Sequence, residues 1–207
     1  LDLQRYSGFS HYYGELSSST KRIIRRGERK LSSAGRLKLA LYENDAQDID
    51  AALADYKAVV ENSWHPPEKN SLFFDDFVRM LAALKQLRLF ILYVAENRTR
   101  NLTTAAGETW IPVAANLYVN WARQIYAVRT AYRSDFNKSS PGIVLLRYIL
   151  ETLMDRDRAE KLSFQVGREP YKLQFGAEPG SALCVCWCVN PASLIWKVLY
   201  WLKPPKL

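Results

Sequence analysis

The stretch AYRSDFNKSSPGIVLLRYILETLMDRDRAEKLSFQVGREPYK, residues 131–172, decides the reading of the fold. It opens at the end of an aromatic-rich strand, crosses a polar loop and enters a helix through Ser139, Ser140, Pro141 and Gly142. Past Met154 the pattern leaves that helix. Leu162, Phe164 and Val166 then alternate as a strand does, and the chain turns at Gly167 into Tyr171 and Lys172. Ser140 suits an N-cap and Pro141 the first helical position, where the N–H that proline lacks has no helical partner anyway. Gly142 carries no side chain, so a ligand can approach the backbone there. The free amides and the positive end of the helix dipole favour a phosphate or carboxylate.

Upstream, residues 110–118 and 124–132 read as antiparallel strands across a tight turn near Ala122. The second strand places Tyr126, Val128 and Thr130 on one face and Ile125, Ala127, Arg129 and Ala131 on the other. Short apolar strands are expected over 89–95 and 37–42. Between those two, Ile49, Leu53, Tyr56, Val60 and Trp64 recur at helical spacing behind a cap at Asn44 or Asp45, and His65-Pro66-Pro67 stops the helix. Residues 71–87 read as a second amphipathic helix with Phe74, Phe77, Leu81 and Leu84 facing in. Downstream, 182–189 is an apolar strand, and Asn190-Pro191 starts a helix whose stripe is widened by Trp196, Tyr200 and Trp201. That helix packs on its own sheet or docks on a partner subunit or a membrane surface. Helices before an antiparallel sheet, and a helix crossing between the last strands, define an α+β fold. One domain over 1–207 is expected, with a basic helical arm at about 1–38 and a C-terminal strand and helix at about 182–203.

The net charge of +8 is concentrated, because residues 21–38 hold eight basic residues against one acid. Arg22, Arg25, Arg26, Arg29 and Lys30 surround the helix that Ile23, Ile24, Gly27 and Leu31 begin. Such a face attracts anionic lipid, nucleic acid or a phosphorylated substrate, or is simply solvated. Cys184, Cys186 and Cys188 alternate on one strand face, where parallel side chains do not suit a disulfide, so they read as buried small hydrophobes. Only two histidines are present, and a metal site is not expected. His65 could titrate near neutrality and serve as a base. The longest apolar region, 182–202, is interrupted by Asn190, Pro191, Ser193 and Lys197, so no membrane span is expected. With no secretory signal recognisable, a cytoplasmic protein is the expectation, with peripheral contact to the inner membrane as an extension of it.

The order of aromatic strand, Ser-Pro-Gly helix start, strand and Gly-x-x-x-Tyr-Lys resembles the second half of the GNAT-fold acyltransferases of the CelD-type branch linked to bacterial cellulose and exopolysaccharide synthesis. It is more distantly similar to the Fem-type aminoacyltransferases. The residues that carry the resemblance are Ala131-Tyr132, Ser140-Pro141-Gly142 with Leu145 and Leu146, Phe164, Gly167 and Tyr171-Lys172, with Arg25, Arg26 and Ser63-Trp64 upstream. Members often have an acidic residue just before that phenylalanine, where this chain has Ser163, and commonly two GNAT-like halves, of which the second is visible here.

The resemblance implies a mixed, mostly antiparallel sheet with helices on both faces, in which the strand ending at Tyr132 and the one beginning near Leu162 splay apart. Acetyl-CoA or another acyl-CoA would enter that gap. Its pantetheine would pair with Val128, Arg129 and Thr130, and its pyrophosphate would sit at Ser139, Ser140, Pro141, Gly142 and Ile143. Lys172 would stabilise the carbonyl oxygen, Tyr132 would act as acid toward the leaving thiolate, and His65 would be the base. Trp64 and Tyr171 would contact the acceptor, an amine of a small molecule, sugar or envelope precursor. With no Ser-His-Asp or Cys-His set legible, direct transfer in a ternary complex is expected. The alternatives are a Fem-like transferase fed by aminoacyl-tRNA and a non-catalytic docking module; a homo-oligomer or an upstream GNAT-like half is the further partner the resemblance implies.

Overall fold

The computed structural model describes residues 1–63, 71–95, 109–165, 167 and 169–179. Trp64, His65, the three cysteines and the C-terminal strand and helix expected at 182–203 lie outside the described residues.

Among the described residues, five strands form one sheet in the order β1-β2-β3-β4-β5: β1 (Leu37–Tyr42), β2 (Leu87–Ala95), β3 (Trp110–Trp121), β4 (Gln124–Tyr132) and β5 (Lys161–Ser163). The first four are antiparallel, and β5 runs parallel to β4. Ala122 and Arg123 both take positive φ in the two-residue connection between β3 and β4, the geometry that matches the twist of a hairpin.

The helices divide between the two faces of this sheet. On one side α1 (Phe9–Glu15), α2 (Ser18–Ala34) and α5 (Pro141–Glu151) bury Tyr12, Ile24, Leu31, Val144, Leu145 and Ile149 against Phe90, Leu92, Tyr118 and Ile125. On the other, α3 (Ile49–Glu61) and α4 (Ser71–Ala83) bury Leu53, Tyr56, Val59, Phe74, Val78 and Leu81 against Leu89, Ile91 and Leu117. The class is therefore α+β, a mostly antiparallel sheet covered on both faces. Among the described residues, no helix is long and apolar enough to cross a membrane.

Local chemistry explains where elements begin. Ser17 caps α2 by accepting from the Thr20 N–H at 3.1 Å, and Thr20, Ile24, Gly27 and Leu31 are its buried stripe. The cap of α3 is Asp48, which accepts from the Ala51 N–H at 2.9 Å, not Asn44 or Asp45. Asn44 instead accepts from Ala46 N–H in a preceding turn. Helix α4 ends at Ala83, so Leu84 lies past its last turn and is 56% exposed where an inward position was expected. The opening residues, read as an arm, are tied down: Leu1 and Leu162 exchange backbone bonds of 2.9 Å, and Phe9 N–H donates to Asp155 at 2.8 Å.

Two differences concern the decisive stretch. The strand expected through Phe164 and Val166 is three residues long, because β5 parts from β4 after Ser163; Phe164 lies beyond the strand and Val166 outside the described residues. In β4 the faces do not alternate to the end. Leu117 pairs with Arg129 but Tyr118 with Ala127, so Val128 is an extra residue, a β-bulge. The insertion reverses parity: Ile125 and Ala127 pack with α1, α2 and α5, whereas Ala131 packs with α3 and α4. A period of two cannot carry these residues on one face across such an insertion.

Candidate active site

β4 and β5 pair at three positions, Gln124 with Lys161, Ile125 with Leu162 and Tyr126 with Ser163, and then diverge. From Ala127 onward, no strand among the described residues pairs with the β5-facing edge of β4. The gap is a cavity of about 200 Å³, with Ala127, Val128, Arg129, Thr130 and Ala131 along one wall and Phe164, Gln165, Glu169, Tyr171 and Lys172 along the other. Tyr56 and Val60 of α3 also line it. The Val128 bulge twists the strand at this point and re-aims its backbone groups.

On the far wall Gly167 has φ +124°, a conformation that favours glycine, and a Cβ there would overlap the Glu169 carboxylate as it lies. Pro170 opens the short helix α6 (Pro170–Gln174) with Glu169 at its cap position. Glu169 and Lys172 form an ion pair of 2.7 Å one turn apart, and Lys172 Nζ also donates to the Gly167 carbonyl at 3.5 Å. Lys172 is only 7% exposed. The lysine hydrogen bond holds the Glu169 carboxyl below the usual range, so it is ionised at neutral pH. Burial, then the charge of Glu169, push the Tyr171 phenol up. The Tyr171 ring stands edge-on to Phe164 with centroids 6.1 Å apart.

At the other end, a 3₁₀ turn (Ser134–Ser139) joins β4 to α5. Ser140 closes that turn and starts α5, with φ +49°. This conformation overturns the expected side-chain cap: Ser140 makes none, and its carbonyl instead accepts from the Ile143 and Val144 N–H groups at 3.0 and 3.2 Å. Pro141 has no N–H, so among the described residues Gly142 offers the first-turn amide without a backbone acceptor. A Cβ at Gly142 would meet the Tyr132 ring at 3.3 Å.

The structure thus gathers Val128, Arg129, Thr130, Tyr171 and Lys172 around one cavity. Tyr132, read as an acid, packs on Gly142 at the helix start and does not line the cavity. Ser139, Ser140, Pro141, Gly142 and Ile143 form the turn just past its β4 end and are not in its lining. Trp64 and His65 lie outside the described residues. Sequence reasoning missed Glu169, although the Glu-Pro-x-Lys spacing, a proline at the first helical position with opposite charges three apart, was a usable signal. It also missed Tyr56, whose helical period marks it as core. The Val128 bulge leaves no mark in the sequence. Among the described residues, no cluster suited to a metal ion occurs.

Comparison with known proteins gives the class of protein in which this strand pair opens beside a helix start. A family model described as acetyltransferase (GNAT) domain matches residues 18–173, and the chain belongs to that family. GNAT domains use acetyl-CoA as co-substrate. Among solved structures, it is similar to AAC(6')-Iy in complex with the bisubstrate analogue CoA-S-monomethyl-acetylneamine, with 9% identity, a TM-score of 0.48, and 75% of this chain and 100% of that one covered. It is also similar to a ribosomal-protein-alanine N-acetyltransferase from Brucella melitensis biovar Abortus 2308, with 9% identity, a TM-score of 0.41, and 75% and 99% covered. No curated protein matches the chain significantly.

Proposed function

We propose that this protein is an acyl-CoA-dependent N-acyltransferase in which the cleft between β4 and β5 receives the donor's pantetheine arm. The observation that carries the reading is the open β4 edge from Ala127 to Thr130, bulged at Val128, facing Glu169, Tyr171 and Lys172 across a cavity of about 200 Å³. Whole cofactor clefts run to roughly 300–1,000 Å³, so this volume suits an extended arm and its acyl group, with the nucleotide outside near Pro141.

The donor supplies an activated acyl carbon. The chain's residues account for the rest. Unpaired groups of β4 hold the arm as an added strand would. Lys172, its charge balanced by Glu169, stabilises the carbonyl oxygen as negative charge gathers there. Glu169, ionised, draws the acceptor to the cleft; the amine attacks in its neutral form, and Glu169 takes the proton that the nitrogen sheds as the C–N bond forms. Tyr171 gives its proton to the sulfur as the C–S bond breaks, and the proton held by Glu169 restores the phenol through solvent. Tyr171 takes over the acid role first read for Tyr132, because it lines the cavity and burial keeps it protonated.

Within the family, the motifs running from Arg25 to Lys172 favour the CelD-type branch, and hence an amine on a sugar or envelope precursor. Thiol release from acetyl-CoA, measured against a panel of amino sugars and amines, tests the reading. Saturable turnover supports it; absence of both turnover and CoA binding by calorimetry sinks it. The exposed Arg22, Arg25, Arg26 and Arg29 speak for a second reading, transfer from aminoacyl-tRNA, which requires salt-sensitive tRNA retention without CoA affinity.

A further inference from the structure

Helix α2 carries more positive charge than its packing uses. Its buried stripe lies against the junction of the 3₁₀ turn and α5: a Cβ on Gly27 would come 2.8 Å from the Ser139 carbonyl and 2.7 Å from Val144 Cγ2. At about 100° per residue, Arg26 and Lys30 fall on one flank of that stripe and Glu28 on the other. Glu28 reaches Arg147 of α5 at 3.5 Å. The Arg26 flank faces the other way, toward the 3₁₀ turn, where Lys30 Nζ donates to the Lys138 carbonyl at 2.7 Å. Lys138 is the residue before Ser139, and Ser139 to Gly142 is the start of α5. Among the described residues, no carboxylate pairs with Arg26, Lys30 or Lys138. A set of cations without counter-ions, beside the closed end of a cleft, is unfavourable unless solvated or met by an anion.

We propose that Arg26, Lys30 and Lys138 form a phosphate subsite that takes the 3′-phosphate of the donor's nucleotide. The inference rests on the acyl-CoA reading and deepens it, since it assigns the binding of the far end of the donor to residues outside the cleft. The geometry is consistent: the cleft ends at Ala131, the next residue packs its ring on Gly142, and Lys30 reaches the Lys138 carbonyl in the turn that leads into that helix, with Arg26 one turn before Lys30 on α2. A phosphate monoester carries close to two negative charges at neutral pH and so matches a cation cluster better than a diester does. Arginine adds planar two-point recognition of phosphate oxygens. A membrane is disfavoured as the partner, because Ile24 and Leu31 of α2 are spent on the core and Ile23, 37% exposed, is the one large apolar side chain the helix leaves to solvent.

Calorimetry on the whole chain at low salt tests this with CoA and with 3′-dephospho-CoA. The wild-type protein should bind CoA about tenfold more tightly, consistent with a charge-assisted contact at an exposed site. In Arg26→Gln/Lys30→Gln the two ligands should fall within about twofold of each other. Lys138→Gln should lose part of the preference and provides an independent variant if the double one folds poorly. Arg25→Gln, on the far side of the helix, should retain all of it. Equal affinity in the wild type, or an unchanged preference in both Arg26→Gln/Lys30→Gln and Lys138→Gln, would overturn the subsite while leaving the acyl-CoA reading intact. Binding of neither ligand would overturn both.

Discussion

Glu169 and Lys172 meet at 2.7 Å across the first turn of α6, and the two ends of this ion pair are unequally sheltered: the lysine side chain is 9% exposed, the glutamate 54%. A Cβ on Gly167 would overlap the carboxylate as it lies. On the proposed mechanism the sheltered Lys172 is the group that meets the developing oxyanion. Lys172→Met should therefore lower kcat by about 10²-fold or more, the scale of losing one oxyanion donor, with little change in the KM for acetyl-CoA. Steady-state thiol release measures both constants. A KM effect alone would make Lys172 a binding residue.

The same pair fixes a pH dependence of stability. The hydrogen bond from Lys172 holds the Glu169 carboxyl below its ordinary range. A carboxyl depressed in the folded state contributes stability that is present above its unfolded value and lost as pH falls through the folded one. Glu169→Gln should thus melt below the wild type at pH 7, and the gap should narrow as pH drops below about 4. The difference will be small, since the glutamate is half exposed. Thermal melts of both proteins between pH 3 and 7 check the sign; a gap that widens in acid would contradict the pairing.

Burial and the neighbouring Glu169 raise the Tyr171 phenol above its ordinary 10. It stays protonated over the whole working range and gives no basic limb of its own below that value. Tyr171→Phe should cut kcat by about 10²-fold, as for loss of one general acid, and Tyr132→Phe much less. An acceptor-independent loss equal in the two variants would return the acid role to Tyr132.

Gly27 lets α2 lie against α5. Alanine would put its Cβ 2.7 Å from Val144 Cγ2 and 2.8 Å from the Ser139 carbonyl oxygen, and the backbone contact cannot yield as a side chain does. Gly27→Ala should destabilise by about 1–3 kcal/mol, the range for overpacking a tight interface, despite alanine's better helix propensity. Denaturant titration measures it. Gly14→Ala serves as the control, because nothing lies within 4 Å of a Cβ there.

Much of the scaffold is written locally. The hairpin around Ala122 follows from strand-forming residues on either side of a short polar link, and α2 and α3 follow from caps and apolar spacing. Phe164 and Val166 also looked like strand, yet β5 stops at Ser163. Alternation reports a two-sided environment, and for Phe164 one side is a cleft wall. Ser140 has the residue type of a cap but not the conformation, because it must also end the preceding 3₁₀ turn. Glu169 was passed over because an exposed glutamate beside a proline is ordinary unless one knows what it faces.

Taken alone, the sequence determined the order of the main elements from α2 to α5, the concentration of charge on α2 and the order of short motifs that place the chain among the GNAT acetyltransferases, because these depend on residues within a turn or two of one another. The tertiary structure alone decided that Val128 is a bulge, that β4 and β5 separate after three pairs, that Tyr171 rather than Tyr132 faces the gap, and that Glu169 reaches Lys172 there. Those facts depend on the register between strands distant in the chain and on which side chains share a space. Short-range periodicity carries no information about either.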